Sequence, residues 1–193
     1  MLRILFRVKG YFRYNGPMEA GDRLAIRKPS FWKPVHEFFD VSGGRIGTFR
    51  ITRPFTYRKA EAETRDGAKY VLSYLGWTGR RAEIMDDQGT VIGTMHRNGW
   101  WGQRTQLILH EKEYVWRVNG WGTRFFIEET DGTTAIEISG CGGFGTKGQV
   151  DFFGSFPEEE AFLLIVMGLY QMRLYEMEVS AASGAGAVVV LSA

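Results

Sequence analysis

One short pattern occurs twice in this chain. Asp40-x-x-Gly43-x-x-Ile46-Gly47-Thr48 and Asp86-x-x-Gly89-x-x-Ile92-Gly93-Thr94 share five identities at one spacing. Each copy is flanked by alternating runs, Val35 to Phe39 and Ile46 to Ile51 in the first, Arg81 to Met85 and Val91 to Met95 in the second. A period of two belongs to a strand with one buried face. Between two such runs an Asp/Gly link is a hairpin turn: Gly supplies a positive φ, and the Asp carboxylate accepts from nearby backbone N–H groups. Weaker copies surround the pair: Asp66-Gly67 between Ala60 and Tyr74, Glu111-Lys112 between Leu107 and Val118, and Asp131-Gly132 between Phe125 and Ile138. The turn centres near 43, 67, 89, 111 and 132 define a module of about 22 residues.

The loops that return from one hairpin to the next have their own signature, an aromatic followed three residues later by a base: Phe55 and Arg58, Trp77 and Arg80, Trp101 and Arg104, Trp121 and Arg124, Phe144 and Lys147. Every second turn of a meander lies at the same end, so these loops gather on one rim and the Asp-Gly turns on the other. Five hairpins supply ten strands. Leu2 to Val8 and Arg23 to Arg27 add two, and Gln149 to Phe153 is a candidate for a short thirteenth. About twelve strands in an unbroken meander are too many for a flat sheet, and closure removes the exposed edges. The expected fold is mainly β, a closed antiparallel barrel of hairpin repeats, wider than side chains alone can fill.

The filling is a C-terminal helix. Ser155-Phe156-Pro157-Glu158 has the spacing of a capping box with Pro in the first turn, and Glu158, Glu159 and Glu160 suit the positive end of the helix dipole. Ala161 to Tyr170 is apolar on every face, which requires burial in protein or lipid. That run is shorter than a membrane span before Gln171 and Arg173 interrupt it, which favours a core helix over about 157–177. The domain then covers 1–178, and 179–193 forms a small-residue tail.

Bulk properties agree. With 193 residues, 44% of them hydrophobic, the chain can bury a full core as one domain, and 25 Gly against 5 Pro suit a protein of many tight turns. The single cysteine, Cys141, has no partner in the chain, which suits a reducing, cytoplasmic setting. Net charge is only +2, too low for a dedicated nucleic-acid binder, yet residues 1–60 hold 13 Lys/Arg against 4 Asp/Glu, and residues 61–193 hold 11 against 18. The basic stretch Met1 to Tyr14 alternates like a strand rather than a targeting helix.

Catalytic signatures are sparse. Gly140-x-Gly142-x-x-Gly145 satisfies a dinucleotide fingerprint as a string, but residues 146–154 have no helical pattern to place a helix N-terminus against a pyrophosphate. His36, His96 and His110 lack ligand spacing, and Asp40 and Asp86 are accounted for by turn chemistry. No metal or cofactor is expected, and an enzyme reading would rest on the glycine string and Cys141 alone. The rim is the candidate site. Trp77, Trp100, Trp101 and Trp121 with Arg80, Arg81, Arg104, Arg124 and Lys147 are the residue types that favour a lipid headgroup layer, rings at the interface and cations on phosphate. They also fit a plain barrel plug with solvated bases.

Hairpins with Asp-x-x-Gly turns followed by a buried helix resemble the tubby C-terminal-like superfamily, more narrowly its LURP-one-related and scramblase-like branches. The matching stretches are 82–94, 38–48, Phe125 to Gly132, and Ala161 to Tyr170. The resemblance implies a twelve-stranded barrel threaded by its helix, no catalytic centre, and activity at membranes, through binding of phosphoinositide headgroups or movement of phospholipids. It differs from scramblases in lacking an Asp-x-Asp calcium run, a Pro-rich leader and a cysteine cluster. The expected function is non-enzymatic binding of anionic phospholipid at a membrane surface; the alternatives are a structural or protein-interaction module and a scramblase-like protein. Neither the lipid nor any protein partner follows from the residues.

Overall fold

The computed structural model describes residues 16–29, 35–52, 59–75, 80–98, 104–119, 123–141 and 146–190. Twelve strands follow one another: β1 (Arg23–Arg27), β2 (Val35–Phe39), β3 (Arg45–Ile51), β4 (Lys59–Thr64), β5 (Lys69–Leu75), β6 (Arg81–Met85), β7 (Val91–Asn98), β8 (Arg104–Leu109), β9 (Lys112–Val118), β10 (Arg124–Glu129), β11 (Thr134–Ser139) and β12 (Lys147–Phe152). Each pairs antiparallel with its neighbours in sequence, and β1 closes the barrel against β12. The barrel therefore closes with the 147–152 strand. Leu2 to Val8, expected as a strand, lies outside the described residues.

Alternation carries the wall. In β8, Thr105, Leu107 and Leu109 are buried while Arg104 is exposed, and β6 and β1 show the same period. The twin turns are built alike. Asp40 Oδ1 accepts from the N–H groups of Ser42 and Gly44, each at 2.8 Å. Asp86 Oδ1 accepts from Gln88 at 3.0 Å and Thr90 at 2.8 Å. Gly43 and Gly89 sit at φ 84° and 79°, and the strand register shifts beside each turn, between Phe38 and Phe39 and between Ile84 and Met85. One weaker copy moves: the β8–β9 turn uses His110 and Glu111, at φ 47° and 67°, and Lys112 already belongs to β9.

The helix α1 (Glu158–Val190) fills the barrel. Its first bond runs from Ala161 N–H to Pro157 C=O, and Ala161 to Leu174 are buried throughout; at Gly168 a Cβ would lie 3.1 Å from Ile138 Cδ1 and 3.3 Å from Ile127 Cδ1. Close approach explains the second glycine of the repeat: a Cβ on Gly47 would lie 2.4 Å from Phe162 Cε2 and 2.7 Å from Glu63 C=O. The helix is longer than the expected 157–177. At about 1.5 Å per residue its 33 residues span about 50 Å, and the segment expected as a tail continues it to Val190.

The three acids at the start of α1 bind three different places on the wall. Glu158 pairs with Arg65 in the β4–β5 turn at 3.1 Å, Glu159 accepts from Tyr70 at 2.5 Å, and Glu160 accepts from Lys112 at 2.9 Å and Tyr114 at 2.7 Å. Burial works against the Glu160 charge, but these two donors outweigh it and hold its pKa below the ordinary value. The dipole-compatible acids of the sequence thus orient the helix as well.

Candidate functional site

Even-numbered strands all start at the end of the barrel where α1 leaves. That end carries the predicted cations. Arg80 directly precedes β6, Arg81 opens it, and Arg104, Arg124 and Lys147 open β8, β10 and β12, all exposed. The structure thus brings Arg80, Arg81, Arg104, Arg124 and Lys147 to one rim. Arg81 pairs with Glu83 at 3.2 Å and Arg124 with Glu137 at 3.4 Å, while Arg80, Arg104 and Lys147 form no ion pair among the described residues. Trp77, Trp100, Trp101 and Trp121, like Phe55, Arg58 and Phe144, lie outside the described residues.

Three cations escaped the loop signature and join this rim. Lys59 opens β4, so five of the six even-numbered strands, all but β2, begin with a base. Arg27 closes β1 opposite Lys147, and its guanidinium lies 4.7 Å from the Phe39 ring centroid. Lys28 follows it, half-buried; burial, then the neighbouring Arg173, lowers its pKa. The strand-end position of each base was legible from the alternation, but the signature fixed on the aromatic and recorded Arg58 instead of Lys59.

Among the described residues the opposite end is acidic. Glu19, Asp22, Asp40, Asp66, Asp86, Asp87, Glu111, Glu129 and Asp131 lie in its turns and entry segment, beside the three helix acids. Arg65 and the strand-opening Arg23, Arg45, Lys69 and Lys112 offset them only in part. The charge asymmetry along the sequence gives way, after folding, to a division between the two ends among the described residues.

Just inside the rim lies a buried polar group. Arg173 on α1 donates to Cys141 C=O at 3.2 Å and to Glu176 at 2.5 Å, and its Nη2 lies 3.0 Å from His36 Nε2. Burial, then Arg173 and Lys28, lowers the His36 pKa to about 3, so the ring is neutral. A neutral ring that accepts from Arg173 at Nε2 carries its proton on Nδ1. Burial raises the Cys141 thiol to about 12, which leaves it protonated and poorly nucleophilic at neutral pH. Gly140 has φ 73° and the glycine string leads into β12 instead of a helix, so no helix terminus faces a phosphate there.

Among the described residues no helix is long and apolar enough to cross a membrane. No known protein-family model matches the chain, and no curated protein matches it. A solved structure does: the X-ray structure of a protein from Arabidopsis thaliana, AT5G01750, superposes with a TM-score of 0.53 at 12% identity, covering 79% of this chain and 91% of that one. At that identity the likeness shows a shared fold, the closed barrel around a C-terminal helix.

Proposed function

We propose that this chain is a non-enzymatic tubby-like domain that binds anionic phospholipid headgroups at a cytoplasmic membrane surface through the rim where α1 leaves the barrel. The observation that carries the reading is the segregation of charge between the two ends, with Arg80, Arg104 and Lys147 exposed and unpaired among the described residues on the basic one. A cation near an anionic bilayer contributes about 1 kcal/mol within a Debye length. The interior is filled by α1, which leaves surfaces for binding.

Co-sedimentation with vesicles of graded anionic content tests this. Reversing Arg80, Arg104 and Arg124 to Glu removes at least about 3 kcal/mol of attraction, a loss of about a hundredfold at low salt. The side chains are exposed, so the fold should persist. Wild-type protein that does not pellet with anionic vesicles, or a triple variant that pellets equally well, would overturn the reading.

A second reading, a protein-interaction module, has its own observation at the acidic end. Val41, Val91 and Phe153 are exposed there, 82%, 46% and 53%, and the same end has a cleft of about 620 Å³ lined by Ile46, Phe162, Arg65, Asp66, Glu158 and Glu159. Exposed apolar side chains on an end where acids outnumber bases among the described residues suit a basic, partly apolar protein surface. Vesicle binding that ignores the rim cations would favour it.

A further inference from the structure

β7 places Gly93, Met95 and Arg97 on its inward face, so the alternation that makes the wall turns a guanidinium into the barrel just below the rim. Arg97 is 7% exposed at its side chain. Both of its terminal nitrogens donate to the two carboxylate oxygens of Glu178, and Nη1 also donates to Tyr74 Oη at 3.2 Å. Its remaining nitrogen, Nε, is buried and has no partner among the described residues.

Register extends this group along the wall. Arg97 pairs with Thr105 on β8, and Thr105 with Trp116 on β9. Thr105 and Trp116 are both 0% exposed, and Thr105 Oγ1 and Trp116 Nε1 are buried without partners. Three neighbouring strands thus each carry a buried polar group that has no partner among the described residues, along one line of register. Arg Nε and Trp Nε1 can only donate, and Thr can. The missing partner is an acceptor.

The group that holds Arg97 is the part of α1 most easily withdrawn. Burial falls from Leu174 through the half-buried 175–178 to the exposed Val179, and the Glu178 side chain is 36% exposed. The guanidinium fork that grips this carboxylate matches phosphate equally well.

We propose that Arg97, with Thr105 opposite it on the neighbouring strand, is an oxyanion site just inside the rim, occupied by Glu178 of the protein's own helix, and that a phosphate group competes with that carboxylate. Glu178 acts as a built-in competitor, and phosphate enters when the half-buried turn 175–178 of α1 lifts. The phosphate comes free in solution or on a lipid headgroup; only the second source rests on the membrane reading of the rim.

The test titrates inorganic phosphate into the full chain at constant ionic strength, following tryptophan fluorescence and the thermal midpoint. Glu178→Gln removes the competing charge and keeps the shape. It should bind phosphate about tenfold more tightly than wild type and gain thermal stability from it, and Arg97→Gln in the same chain should abolish both effects. Should Glu178→Gln fail to fold, Glu178→Asp, which retracts the carboxylate by one methylene, serves in the same titration. An equal response in wild type and variant, or one that survives loss of Arg97, overturns the proposal. Vesicles separate the sources. Tighter binding of Glu178→Gln to phosphomonoester lipid than to phosphodiester lipid of equal charge assigns a headgroup, and a gain for inorganic phosphate alone assigns a soluble ligand. The triple rim reversal should lose vesicles yet keep the phosphate response, so the two readings fail separately.

Discussion

The two ends of the barrel treat buried polarity in opposite ways. Where α1 enters, Glu158, Glu159 and Glu160 each meet a named donor, and Asp40 and Asp86 each hold two turn N–H groups. From mid-barrel to where α1 leaves, His36 Nδ1, Arg97 Nε, Thr105 Oγ1, Trp116 Nε1, Tyr170 Oη and Gln171 Nε2 are buried and have no partner among the described residues, against Asp40 Oδ2 at the entry. A satisfied polar group fixes geometry, whereas an unsatisfied one costs about 1–3 kcal/mol and persists where something other than folding retains it. The entry end specifies the fold, and the exit end keeps unpaired donors beside an excess of cations.

The largest effect should come from the dry packing next to the entry. Phe162 is 2% exposed, meets Phe38 edge to face at 5.5 Å, and fills the space left by Gly47. Phe162→Ala should cost about 3–5 kcal/mol in urea unfolding. A cost near 1 kcal/mol would mean that the entry end is no better packed than the exit.

Acid should act on the exit end first. Folded His36 stays neutral down to about pH 3, while in the unfolded chain it titrates near 6.5. The unfolded state therefore takes up a proton that the folded state refuses, and stability falls as pH drops below about 6.5, with a slope approaching 1.4 kcal/mol per unit. From pH 6.5 to 5 the wild type should lose about 2 kcal/mol more than His36→Gln. Equal losses in urea titrations at the two pH values would break the contrast between the ends.

The smallest effect belongs to a single turn. Asp86→Ala removes two acceptor bonds, which should cost about 1–2 kcal/mol by thermal or urea unfolding and leave the rim unchanged. Asp40→Ala should cost at least as much, because Asp40 is the more buried of the twins.

Most of the barrel was legible because its signals are local. The Asp40 and Asp86 turns, the alternation of β8 and the all-apolar Ala161 to Tyr170 depend on neighbours within a few residues, and the structure follows them. The strand that closes the barrel was less legible: Lys147–Phe152 is short and begins with glycine beside lysine, while Leu2 to Val8 has the stronger alternation. The His110–Glu111 turn departs from the pattern because two non-glycine residues adopt positive φ there. At the rim, the bases at strand starts could be read from the repeat. Arg97 could not, since an arginine within alternation reads as outward until the partner that neutralises it is known.

The sequence by itself determined the hairpin repeat, the closure it demands and a greasy helix to fill the barrel, because periodicity and turn chemistry act over a few bonds. Only the tertiary structure decided that charge separates by ends of the barrel, that each helix acid meets its own place on the wall, and that Glu178 closes on Arg97 across 81 residues of chain. Those outcomes depend on which strand faces which turn of the helix, and that register exists only once the barrel has closed.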